Sequence, residues 1–307
     1  MTWPRPLPAM DVAKLGHHLV FILLHKVVMH HSFRLFIAIV LVVVGRNDAR
    51  RAELQSAGPQ PPVIGEATRQ QRQALLDELR PVTLANCSFK RFGSANDAGY
   101  IMCENFTDVE TGYSYGIGGN DDWGCEVSRT YKVPMHQYDC FTLPPLTCAG
   151  GQFVPHDECV GPKTETVEGR LFDTISHQID RNGDRAKRMV VKIDIEGAEW
   201  AALAATPDAV LQRIDQLAME FHGVDDARIM DVVRKLKRNF YLVHLHFNNH
   251  ACDPALHPFP AWAYQVLFVN KRVGVVGTPK PGAAPPQAFD APDNPHSPDC
   301  QLPSRPE

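Results

Sequence analysis

Between residues 113 and 270 the chain alternates short, β-branched apolar runs with stretches of helical spacing, and this alternation restricts the fold more than any other feature. Strand-like runs lie at 113–115, leading into the turn Gly116-Ile117-Gly118-Gly119, and at 136–140, 189–195, 214–221, 241–247 and 264–270. Helical spacing marks 170–179, 198–203 and 227–238. Strands separated by helices form βαβ units, so the expectation is an α/β domain with a mostly parallel sheet between two helical layers. No helical pattern separates the last two runs. They are expected to form an antiparallel hairpin at one edge of the sheet.

The flanks read differently. Residues 19–24 and 35–44 are apolar, and the second block is bounded by Arg34 and Arg46. Ten apolar residues fall short of the roughly 20 that span a bilayer as a helix. Counted from Val20 the stretch is long enough, but it then includes Lys26 and Arg34. Segment 33–45, behind an N-terminal segment 1–32, therefore reads as a signal-anchor, a cleaved signal peptide or a transit segment. Basic residues on both sides (Lys14, Lys26 and Arg34; Arg46, Arg50 and Arg51) leave its orientation open. Residues 46–80 form a polar stem, in which Leu75, Leu76 and Leu79 predict a short helix docked on the domain. The domain itself spans 81–276. From Gly277 to Glu307 the chain is proline-rich and poor in large apolar residues, and a disordered tail is expected.

Eight cysteines, with no C-x-x-C pair, behind a candidate export signal favour disulfides over free thiols and leave the pairing open. Two N-x-[ST] triplets, at Asn86 and Asn105, fit a lumenal setting. The expected location is a single-pass membrane protein of the Golgi or ER lumen, or a secreted one. A net charge of −4 with no basic cluster in the central region excludes nucleic acid as the main partner.

Chemistry-bearing residues gather at the predicted strand ends, where ligands bind in open α/β sheets. Glycines at Gly116 and Gly118 let backbone approach a ligand, or simply close a tight turn. Asp139, at the end of the second run, is placed to accept from ribose hydroxyls or to cap a turn. In Lys192-Ile193-Asp194-Ile195-Glu196 the polar residues alternate, so three charges share one face; an internal ion pair or a ligand would satisfy them. Glu220 and His222 end the next strand, and His244, His246, Asn248, Asn249 and His250 end the one after. His222 or His246 could act as a base. Asp194, Glu220 and His222 could instead hold a divalent cation, with Glu196 and Asn248 as further substrate or metal contacts. Trp123, Trp200 and Trp262 are expected to pack rather than to bind substrate.

The runs VVKIDIEGAEW, GYSYGIGGNDDWGCEVS and HFNNHAC...AWAYQVLFVNKR resemble the FkbM-like methyltransferases and related methyltransferase-like domains, over residues 89–273. The resemblance implies a Rossmann-like class I methyltransferase sandwich with a seven-stranded sheet, and S-adenosylmethionine as cofactor. It places Gly116 and Gly118 against the amino-acid part of the cofactor, Asp139 against its ribose, and Asp194 where methyl donor and acceptor meet. A glycan or other small secretory-pathway metabolite is the implied acceptor. Ser114 stands where such domains usually carry an acid. Two other readings compete. A nicotinamide-dependent oxidoreductase calls for G-x-G-x-x-G, but Asp121 occupies the last glycine position. A non-catalytic, membrane-tethered interaction module calls for Asp194 and Glu196 locked in ion pairs with no open pocket.

Overall fold

The computed structural model describes residues 65–142 and 144–300. The apolar segment at 33–45, the residues before it and most of the stem lie outside the described residues. Among the described residues no helix is long and apolar enough to cross a membrane.

A helix α1 (Glu66–Glu78) precedes a hairpin, β1 (Phe89–Gly93) and β2 (Gly99–Cys103). Then follow β3 (Thr111–Tyr115), α2 (Asp122–Tyr131), β4 (Pro134–Tyr138) and β5 (Gln152–His156). Three short strands, β6 (Cys159–Val160), β7 (Glu165–Val167) and β8 (Arg170–Asp173), make a small separate sheet and lead into α3 (Ile175–Arg181). The chain continues through β9 (Met189–Ile193), α4 (Glu199–Ala205), α5 (Asp208–Leu211) and β10 (Ile214–His222). It ends with α6 (Ile229–Asn239), β11 (Phe240–Phe247) and β12 (Ala263–Asn270).

Seven of these strands form one sheet in the order β11-β12-β10-β9-β3-β4-β5, with β12 antiparallel to both neighbours and the other pairings parallel. The last two strands pair antiparallel as expected, and β12 lies inside β11, next to β10. Strands β4 and β5 are added on one side of β3 and the later strands, from β9, on the other. That switch point opens a crevice beyond the carboxyl ends of the strands.

The sheet buries two apolar layers. On one face Leu75, Val191, Met219, Phe221, Leu236 and Phe268 pack with α1, α3, α4 and α6. On the other, Met102, Trp123, Val127, Val190, Ala218 and Leu267 pack under the β1–β2 hairpin and α2. All eight cysteines are paired: Cys87–Cys103, Cys125–Cys148, Cys140–Cys159 and Cys252–Cys300.

Three expectations are corrected. Residues 170–179 are not one helix. Arg170–Asp173 pairs with β6 and β7, and the helix starts only after Thr174, whose hydroxyl accepts from the His177 N–H. The segment after Gly277 is not a disordered tail, at least to Cys300. Asp290 accepts from His244 Nε2 at 2.7 Å, Asp293 from Gln265 Nε2 at 3.0 Å, and Asn249 bonds Asn294 and Ser297. With Cys300 bonded to Cys252, this strap is held by polar groups and a disulfide rather than by apolar burial, which composition does not reveal. Trp262 is not a packing residue: it is 44% exposed, whereas Trp123 and Trp200 are buried.

Candidate functional site

A cavity of about 550 Å³ lies at the switch point, lined by the ends of β3, β4 and β9 and by the loops that follow them. Gly116 is required there by contact: with φ +78°, a Cβ on it would sit 1.6 Å from the Asp194 carbonyl oxygen. Gly118, at φ +57°, has no atom within 4 Å of the corresponding point and faces open space. The glycine turn is braced by Asp139. One oxygen of its carboxylate accepts from the Ile117 and Gly118 N–H groups at 2.9 and 3.0 Å. The other accepts from Phe141 and Thr142 at 2.7 and 2.8 Å. Burial opposes the charge, but these four bonds outweigh it and hold the carboxyl below its ordinary value. A carboxylate offers about four acceptor sites. The structure therefore makes Asp139 the clasp of the turn, at the wall of the cavity.

Asp121 explains Ser114. Its buried carboxylate caps α2, accepting from the Gly124 N–H at 2.9 Å and the Ser114 hydroxyl at 3.0 Å; its other oxygen accepts from Gln137 at 2.6 Å. Burial raises its pKa, against these bonds. A helix N-terminus that would otherwise attract an anion is thus filled by the chain's own acid. The cavity wall carries Asp97, Asp139, Glu158, Asp194 and Glu196 against one cation, Lys192, so it is electronegative. Phe141 (72% exposed), Val160 and Phe172 add an apolar side.

At the β9–β10 end of the crevice the predicted residues converge. Lys192 Nζ donates to the Gly116 carbonyl at 2.5 Å and lies 3.3 Å from Asp194 Oδ2, which also accepts from the Tyr100 hydroxyl at 3.0 Å. His222 Nε2 lies 3.8 Å from Asp194 Oδ1 and 3.6 Å from Glu196, whose side chain is exposed. Glu220 is buried and accepts from Asn248 Nδ2 at 2.6 Å. Burial, then the adjacent Asp194 carboxylate, push the Glu220 carboxyl above its ordinary range. His222 is displaced upward too: burial opposes its charge, but the hydrogen bond and field of Glu199, with Glu220 and Asp194, prevail.

Glu199 is the residue that sequence reasoning missed. Fully buried, it accepts from the Gly197 N–H at 2.8 Å, the His222 N–H at 2.7 Å and His222 Nδ1 at 3.3 Å. Its signal was present in the Glu196-Gly197-Ala198-Glu199 run. Both Glu196 (φ +55°) and Gly197 (φ +96°) adopt left-handed backbone, and this fold-back aims Glu199 at the strand end.

His246 does not join this group. On the shared face of the sheet it sits two strands from Glu220, across Gln265, and points to Asp290 (3.6 Å) and Asp299 (3.8 Å) of the strap. It is corrected here from candidate base to strap anchor. Asn248 lies behind Glu220 and does not line the cavity. No protein-family model matches this chain, and no curated protein matches it.

Proposed function

We propose that the domain is a class I, Rossmann-like S-adenosylmethionine-dependent methyltransferase acting on a hydroxyl oxygen, with a glycan or small secretory-pathway metabolite as acceptor. The observation that carries this reading is a cavity at the β3/β9 switch point whose described lining holds five carboxylates and one cation, Lys192, with the nearby helix terminus already capped by Asp121. It suits a cationic, phosphate-free nucleoside cofactor. The sheet order, with its single antiparallel strand inside the last edge, supports the same reading, as does the resemblance of the VVKIDIEGAEW run.

The residues fit that cofactor in kind. Gly116 and Gly118 leave room for backbone approach, and Asp139 keeps the turn open. Phe141, Phe172 and Val160 offer an apolar wall to a base, and Glu158 is a carboxylate beside it. When bound, the cofactor would supply a sulfonium methyl group; the acceptor oxygen would take that methyl and lose its proton to solvent, the electron pair of the S–C bond staying on sulfur. Alignment is the main demand of such a displacement. Asp194, held by Lys192 and Tyr100, forms the boundary between the cofactor wall and the Glu220–His222 end, where the acceptor would lie. Trp262, exposed beside His222 with ring centroids 6.1 Å apart, offers an aromatic face to a sugar ring.

An oxidoreductase would need a seat for a pyrophosphate, and Asp121 occupies the helix terminus that would provide it. The open cavity counts against the interaction-module reading, while the Asp194–Lys192 ion pair is the feature that favours it. Four disulfides support an oxidising compartment. With the apolar segment at 33–45, they favour a membrane-tethered lumenal or a secreted protein.

Calorimetric titration of the full-length chain with S-adenosylmethionine, and separately with NAD, tests the proposal. Binding of the former only, lost on Gly116→Ala, is expected. A chain that is folded by circular dichroism and binds neither would overturn it in favour of the interaction module.

A further inference from the structure

We propose that Asp194, Glu220 and His222 form a binding site for one divalent cation of the Mg²⁺/Mn²⁺ class. One ligand atom from each lies within 4.8 Å of the others. Two metal–ligand bonds of about 2.1–2.6 Å span such separations after small side-chain adjustments. The strands produce the arrangement directly. Ile193 of β9 is in register with Met219 of β10, so Asp194, one residue beyond β9, lies beside Glu220. Glu220 and His222 are two apart on one strand and share its face.

Each of the three side chains has one polar atom tied from behind and another left over. Tyr100 and Lys192 hold Oδ2 of Asp194, while Oδ1 faces His222. Asn248 holds Oε1 of Glu220, and among the described residues Oε2 accepts no hydrogen bond. Glu199 holds Nδ1 of His222, whose side chain is only 9% exposed and whose Nε2 has no hydrogen bond although it points into the cluster. A buried carboxylate that fixes the far nitrogen of a histidine, leaving the near one for a metal, is the usual outer-shell device of metal sites. Here all three ligands have such a partner. Among the described residues Glu220 has no Lys or Arg at ion-pair distance, and with the far atom of each side chain fixed the near atoms are left converging on one point.

The donor set selects the ion. Two carboxylates and one imidazole favour an oxygen-preferring cation, and no thiolate is available because all eight cysteines are in disulfides. Asp194 also lines the cavity, which puts the cluster at the edge of that space. A cation there would bind the acceptor hydroxyl and make it a stronger acid. That role rests on the methyltransferase reading; the binding of the ion does not.

The test is a titration of the chelator-stripped, full-length protein with Mn²⁺, followed by electron paramagnetic resonance and by calorimetry, and repeated with Mg²⁺. One Mn²⁺ per chain is expected, with a higher thermal unfolding midpoint in its presence. Glu220→Gln and His222→Gln should abolish binding, and Asn248→Ala, which alters only the outer shell, should weaken it by roughly 10- to 100-fold. A folded wild-type chain that takes up neither ion, or variants that bind as the wild type does, would overturn the site. The midpoint shift of the wild type decides the matter even if a ligand variant fails to fold. S-adenosylmethionine binding, measured on the same stripped protein, separates the two proposals: cofactor binding without ion binding sinks only the metal, and ion binding without cofactor sinks only the methyltransferase.

Discussion

Two carboxylate–histidine groups sit on the same face of the same sheet, and they meet opposite fates. Asp194, Glu220 and His222 stand at the ends of β9 and β10, and Asp194 lines the open cavity. His244 and His246, on edge strand β11, meet Asp290 of the strap that Cys300 fastens to Cys252. Gln265 lies between the groups and donates to Asp293 of the strap. The residue types are nearly the same. What separates a binding site from a structural clasp is whether another segment of the chain has already supplied the partners.

The largest effect should come from releasing the strap. Replacing Cys300 with Ser removes a cross-link closing 48 residues, worth about 4 kcal/mol in the chain-entropy model, and truncation after Gly277 should cost more. Chemical denaturation measures the loss. If the two groups are as independent as their separation indicates, whatever protein remains folded should still bind ligand in the cavity. Loss of binding in the folded Cys300→Ser chain would break the comparison.

A smaller loss is expected at Glu199. Glu199→Ala strands three donors, including both His222 groups, and should destabilise by about 2–4 kcal/mol and weaken ligand binding. Asp290→Asn on the strap should destabilise by about 1–2 kcal/mol and leave cavity binding unchanged. If Asp290→Asn impairs the cavity as strongly as Glu199→Ala does, the strap is part of the site.

The smallest effect is in pH dependence. Burial would raise the Asp290 carboxyl, but His244 and His246 bring it down to about 2. Its contribution is therefore present above the ordinary value of 3.8 and is lost as pH falls through the range below it. His246 is shifted the other way: burial opposes its charge, but Asp290, Asp299 and Asp293 prevail and raise it. Its contribution is present below the ordinary 6.5 and is lost as pH rises through the raised value. Strap docking should be firmest between about pH 4 and 6.5. Urea midpoints of the wild type and Asp290→Asn should differ most in that window, and a constant difference across pH would remove the histidines from the account.

Much of the sheet was legible. Residues 189–193 and 263–270 are mostly apolar because these strands are covered on both faces, and such runs read as strands without help; 214–222 is buried as well but carries Asp215, Gln216, Glu220 and His222. Residues 170–173 did not read correctly, because Leu171 and Phe172 suit the first turn of the following helix as well as a short strand; strand pairing decided between them. The β1–β2 hairpin and β5 escaped notice because they are short and their burial is partial or comes from distant segments. At the site, Gly116, Asp139, Asp194, Glu220 and His222 were all marked from strand-end position. Glu199 was not, since only the left-handed backbone at Glu196 and Gly197 turns it inward.

By itself the sequence determined the alternation of strands and helices, the antiparallel end of the sheet and the strand-end acids, because periodicity and local backbone preference are properties of neighbouring residues. Tertiary structure alone decided the four cysteine pairings, the turn-clasping role of Asp139 and the removal of His246 from the site. Each depends on contacts between residues far apart in the chain, and a hydrogen-bonding side chain carries no mark of which distant partner will satisfy it.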